Sequence, residues 1–183
     1  MNNKTTNVRY LAQLALLAAI DAVNGDASVH GCLLLRPLPA GLDERAACET
    51  LCPEKDVDCV TGASLAWVFT GRGAGYPPCT AQACLEILDH YGCVLDGQRV
   101  TVVGRSLVIG KPAAMLLLAR NATVTVCHTH TMDLAAECRR ADVLIAAAGK
   151  AGAIGPECVS RGQIIIDVGI HVTEDGGMCG DVD

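Results

Sequence analysis

The stretch Arg99-Val-Thr-Val-Val-Gly-Arg-Ser-Leu-Val-Ile-Gly-Lys-Pro112 starts as a strand and finishes as a helix start. Val100, Val102 and Val103 form a β-branched run suited to a pleated, buried surface. The run breaks at Gly104 and resumes at Gly110, where Pro112 suits a first helical turn and an apolar run, Ala113 to Ala119, follows. Strand, glycine turn and helix in that order make a phosphate-binding corner, because a helix N-terminus offers unpaired N–H groups and partial positive charge. Gly104 permits a sharp turn, and Gly110 permits close approach of helix and ligand. The spacing departs from G-x-G-x-x-G, so a tight βα turn that binds nothing is the alternative.

The segments downstream favour the binding corner. Thr123–Cys127 reads as a strand, Met132–Arg139 as a helix and Asp142–Ala148 as a strand ending at Gly149. Pro156–Ser160 reads as a short helix and Gln163–Val168 as a strand ending at Gly169. Strands separated by helices predict parallel βαβ units, hence an α/β fold with a parallel sheet. Upstream, residues 5–24 read as a helix closed by Asn24-Gly25, Val29–Leu35 as a buried strand, and Arg36-Pro37-Leu38-Pro39 as a rigid loop. Asp43–Cys52 reads as a short helix, Pro53–Val60 by composition as a solvated turn, and Gly71–Pro78 as a loop. Thr80 is the expected N-cap of a helix from Ala81 to about Tyr91, closed by Gly92. The domain boundary falls along this loop and helix, giving domains of 1–76 and 77–183.

The bulk numbers exclude some partners. The 183 residues are 51% hydrophobic but only 3% aromatic, and the net charge is −6. Few aromatics and an acidic balance disfavour nucleic acid and anionic membrane surfaces. The N-terminal residues carry no signal-peptide pattern and no apolar run is long enough to span a bilayer, so a cytoplasmic setting is expected. The 11 cysteines form no C-x-x-C pair, and Cys48 and Cys52 lack a second pair to complete a zinc site, so no metal is expected. Cys32, Cys84 and Cys127 sit in apolar segments and read as small core residues in a reducing compartment.

The second strand of the corner ends Thr125-Val-Cys-His-Thr-His-Thr131, with no carboxylate before Asp133. An acid there would bond a ribose 2′-hydroxyl and repel a 2′-phosphate; hydroxyls, imidazoles and nearby Arg105 would accept one. The corner therefore points to NADP rather than NAD, unless His128 and His130 are simply exposed loop residues.

Taken together, several segments resemble the bifunctional methylenetetrahydrofolate dehydrogenase/methenyltetrahydrofolate cyclohydrolase family (the FolD type). They are Leu-Arg-Pro-Leu-Pro (35–39), Lys-Asp-Val-Asp (55–58), Pro-Cys-Thr (78–80), Val-Val-Gly-Arg-Ser with Val-Ile-Gly-Lys-Pro (102–112) and Ala-Thr-Val-Thr-Val-Cys-His (122–128). Ala-Asp-Val-Leu-Ile-Ala-Ala-Ala-Gly (141–149), Ile-Ile-Asp-Val-Gly-Ile (165–170) and Gly-Asp-Val (180–182) complete the set, in the family's order. The resemblance implies an incomplete N-terminal α/β catalytic domain followed by a Rossmann-type domain for NADP, and a homodimer. It implies oxidation of 5,10-methylenetetrahydrofolate, followed in the family by hydrolysis to 10-formyltetrahydrofolate. By position, Gly104, Arg105, Ser106 and Gly110 would form the cofactor corner, Thr129 would stand beside the 2′-phosphate and Ile170 beside the nicotinamide. Asp58, the one candidate catalytic residue, would bond the pterin ring of the folate substrate, since a carboxylate can accept two N–H bonds from an amino-pyrimidine edge. Pro37 and Pro39 would shape that pocket, so Lys55–Asp58 becomes a substrate site rather than a solvated turn.

The chain departs from the family pattern in three places. The family's Tyr-x-x-x-Lys motif, whose lysine is catalytic, is expected in a helix upstream of the residues present here, and Lys4, with no tyrosine four residues before it, does not take its place. The glutamine expected before the Pro-Leu-Pro segment is Leu35, which cannot hydrogen-bond. The family's segment after Gly-Asp-Val is absent beyond Asp183, including a closing helix. These departures lead us to expect reduced stability or reliance on a partner chain, and dehydrogenase ahead of cyclohydrolase activity. An inert NADP-binding fragment is the alternative.

Overall fold

Four parallel strands form the sheet of the second half of the chain: β1 (Arg99–Val103), β2 (Thr123–Cys127), β3 (Val143–Ala146) and β4 (Ile164–Asp167), in the order β2-β1-β3-β4. A computed structural model describes residues 3–73 and 75–183, with side chains from Asn7 onward. The chain divides between Cys79 and Thr80 into two compact units, taken separately below.

In the second unit the period-2 alternation of the strands sorts side chains onto two faces. Val100, Val102, Val143 and Ile145 pack with Leu117 of helix α5 (Gly110–Leu118) and with Cys84, Leu85 and Leu88 of α4 (Cys79–His90). On the other face Val103, Leu144 and Ala146 pack with Cys127, with Cys138 of α6 (Leu134–Arg139), and with Ile154 and Cys158. Both faces of β1 and β3 are covered, which explains their near-continuous Val/Ile/Leu runs. The expected strands and helices from Arg99 to Val168 are all present: β2 has the expected bounds, α5 starts earlier, at Gly110, α6, β3 and β4 are shorter than expected, and Pro156–Cys158 is a single 3-10 turn.

In the first unit helix α1 (Asn3–Gly25) lays Leu16, Leu17 and Ile20 against Ala47, Cys48 and Leu51 of α2 (Glu44–Thr50) and its flank. Two amides of α1 tie both ends of α2. Gln13 bonds the backbone N–H (2.8 Å) and carbonyl (3.2 Å) of the N-cap Asp43, while Asn24 bonds Thr50 O (2.7 Å) and Cys52 N (2.9 Å). Helix α3 (Gly62–Thr70) begins on the hydroxyl of Thr61, which accepts from Ser64 N, and ends at Gly71 with φ +67.

Two sequence expectations are corrected, and two elements are additional to those expected. Val29–Leu35 is not a strand: among the described residues it makes one bridge, Cys32 to Asp56, because that neighbour is extended for a single residue between the 3-10 turn Pro53–Lys55 and the turn at Val57–Asp58. Thr80 does not cap its helix, which already starts at Cys79. Helix α3 is additional to the expected elements. So is a two-residue hairpin of β5 (His171–Val172) and β6 (Met178–Cys179), too short to show periodicity. Among the described residues no helix is long and apolar enough to cross a membrane.

Candidate functional site

The sharp end of β1 builds the corner. Gly104 takes φ +131, a region few side chains tolerate, and donates its N–H to Cys127 O (2.9 Å). A Cβ on Gly104 would lie 2.0 Å from Ala147 O. Ser106 fixes the turn into α5: its Oγ accepts from Ile109 N (3.1 Å) and its carbonyl from Lys111 N (3.0 Å). Beside it, the loop after β2 is locked by His128 N donating to Thr131 Oγ1 (2.9 Å) and by His130 N donating to His128 Nδ1 (3.1 Å). That last bond makes Nδ1 the acceptor and leaves Nε2 to carry the ring proton.

These turns surround a cavity of about 450 Å³ at the carboxyl ends of β1, β2 and β3, where open parallel sheets place ligands. Its wall includes Gly104, Arg105, Ser106, His128, Thr129 and Lys150, and no carboxylate. Two cations and two hydroxyls among backbone turns suit an anionic phosphate ligand. Of the expected cofactor residues, Gly104, Arg105, Ser106 and Thr129 line this cavity; Gly110 and Ile170 do not. Gly110 is buried beneath the turn, and Ile170 is 78% exposed. A second cavity of about 400 Å³ lies at the opposite, amino ends of the strands. Of its arginines, Arg99 is engaged by Asp142 and Arg139 by the carbonyl of Glu157.

Sequence reasoning missed what backs the third wall of the larger cavity. Asp181 is fully buried, and its carboxylate accepts from Gly149 N (3.0 Å) and Lys150 N (2.9 Å). His171 Nε2 lies 2.7 Å from Oδ1. Burial pushes this carboxyl up, but the bond to His171 and those from the Gly149, Ala148 and Lys150 amides outweigh it and hold its pKa below the usual value. The only signal was the pair of aspartates in Asp-Val-Gly and Gly-Asp-Val, for which the sequence suggests no role.

In the first unit the Lys55–Asp58 segment divides by function. Lys55 Nζ donates to the carbonyls of Val23 (2.6 Å), Asn24 (3.0 Å) and Asp26 (2.7 Å), closing the C-terminus of α1. Asp56 is fully buried and accepts from Val60 N and Thr61 N, both at 2.9 Å. Burial alone would raise its pKa, yet those amides and the hydroxyls of Ser64 and Thr61 bring it below the ordinary value. Only Asp58 keeps a partly open carboxylate, 29% exposed and 3.9 Å from Arg36 Nη2. Two of the three charges in the Lys55–Asp58 run are thus committed to backbone groups. Arg36 leads into the exposed Pro37 and Pro39 through a cis Arg36–Pro37 bond, and Glu44 Oε2 accepts from Leu38 N (2.9 Å) to pin the loop.

The family model described as tetrahydrofolate dehydrogenase/cyclohydrolase, NAD(P)-binding domain, matches residues 78–183, and its catalytic-domain counterpart matches 3–58. The bifunctional protein FolD of Clostridioides difficile is 48% identical over 98% of this chain and 64% of its own length. That of Alkaliphilus oremlandii is 43% identical over 94% of this chain and 61% of its own length. The chain thus spans under two thirds of these relatives. Among solved structures, the bifunctional FolD methylenetetrahydrofolate dehydrogenase/cyclohydrolase of Campylobacter jejuni superposes with a TM-score of 0.90 at 38% identity, covering 93% of this chain and 61% of that one. The Trypanosoma brucei enzyme, complexed with NADP cofactor and inhibitor, gives 0.84 at 35% identity over 93% of this chain and 60% of that one. With both family models matched in order along the chain, it belongs to the tetrahydrofolate dehydrogenase/cyclohydrolase family.

Proposed function

We propose that the chain oxidises 5,10-methylenetetrahydrofolate to 5,10-methenyltetrahydrofolate, a hydride leaving the methylene carbon for NADP⁺. The observation that carries this reading is the cation-bearing, carboxylate-free cavity at the carboxyl ends of β1–β3. Arg105 and Lys150 offer charge to phosphate, Ser106 and Thr129 offer hydroxyls, and Thr129 with Arg105 would receive the 2′-phosphate. When bound, the nicotinamide supplies the hydride acceptor. In the first unit Asp58 would accept N–H bonds from the folate's amino-pyrimidine edge, beside Pro37 and Pro39. The first unit is thus the folate-binding half and the second the NADP-binding half, in a homodimer.

Hydride transfer asks mainly that the reactants be held in orientation. Hydrolysis of the methenyl product asks in addition for a group that activates water. Lys55, the lysine nearest Asp58 in sequence, is bonded to three backbone carbonyls and does not serve. This favours dehydrogenase over cyclohydrolase activity. The test is methenyl formation from methylenetetrahydrofolate with NADP⁺, run in parallel with NAD⁺. Turnover with NADP⁺ supports the proposal; NADPH binding without turnover replaces it with an inert NADP-binding module.

A further inference from the structure

One short segment, residues 180–183, holds the loop after β3 at both ends. At the near end the Asp181 carboxylate accepts two successive backbone N–H groups, Gly149 (3.0 Å) and Lys150 (2.9 Å). Gly149 sits at φ +68, a left-handed turn that aims consecutive N–H groups to one side as an anion-holding nest. At the far end Ile154 N donates to Asp181 O (2.9 Å) and Asp183 N donates to Ile154 O (3.0 Å). The segment is itself fixed by Asp167 at the end of β4. Asp167 Oδ1 accepts from Asp181 N (2.9 Å) and Gly169 N (3.0 Å), and Oδ2 from Val182 N (3.0 Å). Contact is so close that a Cβ on Gly180 would lie 1.8 Å from Asp167 Oδ2.

The clamped loop is a cavity wall: Ala147, Ala148, Lys150 and Ala153 are four of the 11 residues lining the proposed cofactor cavity. A fully buried carboxylate is a costly way to fill space, and an apolar residue would pack there without the desolvation penalty. What the carboxylate adds is directional hold on the two amides that set where Lys150 departs from the backbone. Since that carboxylate is ionised, His171 must donate to it from Nε2. The ring of His171 is partly exposed, with 24% of its side chain open, and completes the acceptor's coordination from outside.

We infer that Asp181, supported by His171, is a positioning residue for the cofactor cavity: through the backbone of Gly149 and Lys150 it holds the Lys150 ammonium at the wall, toward an anionic group of the dinucleotide. The inference rests on the cavity being the NADP site.

The experiment is NADPH titration by fluorescence, which needs no turnover, on the wild type, Lys150→Met, Asp181→Asn, His171→Asn and the double variants with Lys150→Met. Asparagine turns one acceptor into an N–H that opposes the Gly149 or Lys150 amide. Lys150→Met should weaken NADPH binding about tenfold, and Asp181→Asn should do nearly as much. In the Lys150→Met background, Asp181→Asn should add less than about twofold, because both act through the same ammonium. Equal losses in both backgrounds, or unchanged NADPH affinity with only a lower melting temperature, would overturn the inference. If Asp181→Asn fails to fold, the partly exposed His171→Asn is read by the same non-additivity, with the same two outcomes. A wild type that does not bind NADPH overturns the cofactor reading itself and the inference with it.

Discussion

The carbonyl oxygen of Gly104 lies 2.1 Å from where a Cβ on Gly110 would stand. The turn and the first residue of α5 are in backbone contact, so nothing flexible can move aside. Gly110→Ala should therefore cost about 3 kcal/mol, the upper end for overpacking, and weaken NADPH binding with it. Gly92 is the control: it holds φ +67 with open space around it, so Gly92→Ala meets only the left-handed penalty of about 1 kcal/mol. Urea unfolding of the two variants measures the difference, and equal losses would mean that the close approach is unimportant.

Thr129 stands on the cavity wall in a lining without carboxylates. A carboxylate introduced there should repel a 2′-phosphate and bond a 2′-hydroxyl instead. Thr129→Asp is expected to lower NADPH affinity by at least about tenfold while leaving NADH affinity equal or better. Parallel titrations with the two dinucleotides test this. A similar loss for both would place the 2′-phosphate elsewhere.

The sequence was most legible where burial is two-sided. Val100–Val103 and Val143–Ala146 are covered on both faces, so their apolar runs had one explanation, and the glycine breaks at Gly104 and Gly149 marked the turns. It was least legible in the first unit. Val29–Leu35 has strand composition but, among the described residues, a single bridge and no ladder, since composition does not say how far a neighbour stays extended. Helix α3 carries Val68, Phe69 and Thr70, poor helix formers that hide it; its signals were Thr61 with Ser64 at the start and Gly71 at the end. At the candidate site, residue types identified the wall of the cavity, but the buried Asp181 looked like any other acid near a chain end. Within Lys55–Asp58 only coordinates separate the charges that hold the backbone from the one that faces solvent.

That separation gives opposite expectations for two aspartates two positions apart. Asp56→Asn leaves one of the buried Val60 and Thr61 amides without an acceptor, at a cost of about 1–3 kcal/mol. Asp58→Asn, partly exposed beside Arg36, should change stability by less than about 0.5 kcal/mol yet weaken folate binding. Thermal melts and a folate titration on both variants separate the roles. A stability loss at Asp58 matching that at Asp56 would count against assigning Asp58 to substrate.

Cys59, next to Asp58, holds φ 56, a left-handed conformation that a residue with a Cβ adopts at a cost. Its thiol is buried, and its pKa is pushed up to about 12 by burial first and then by the charges of Asp56 and Asp58, so it is an inert thiol at neutral pH. Cys59→Ala and Cys59→Gly both lose the sulfur and differ by one Cβ. Glycine should be the more stable of the two by about 1 kcal/mol, reversing the usual order. Denaturant midpoints decide it, and alanine the more stable would show that the backbone carries no strain there.

Asp142 and Arg99 tie the amino ends of β3 and β1 together. Arg99 donates from its backbone N (2.9 Å), Nε (3.1 Å) and Nη2 (2.8 Å) to the carboxylate. The guanidinium bonds, and after them the backbone bond, lower the Asp142 pKa to about 2. Because the folded value lies below the unfolded one of about 3.9, this group stabilises the fold above that unfolded value. The contribution is lost as pH falls toward about 2, since the unfolded state then binds the proton first. The wild type should thus exceed Asp142→Asn in urea midpoint by a constant margin from about pH 7 down to about pH 5, and the margin should shrink below about pH 4. The other carboxylates are common to both proteins and cancel in the difference. A margin that stays constant to about pH 3 would mean that the pair contributes nothing through its charge.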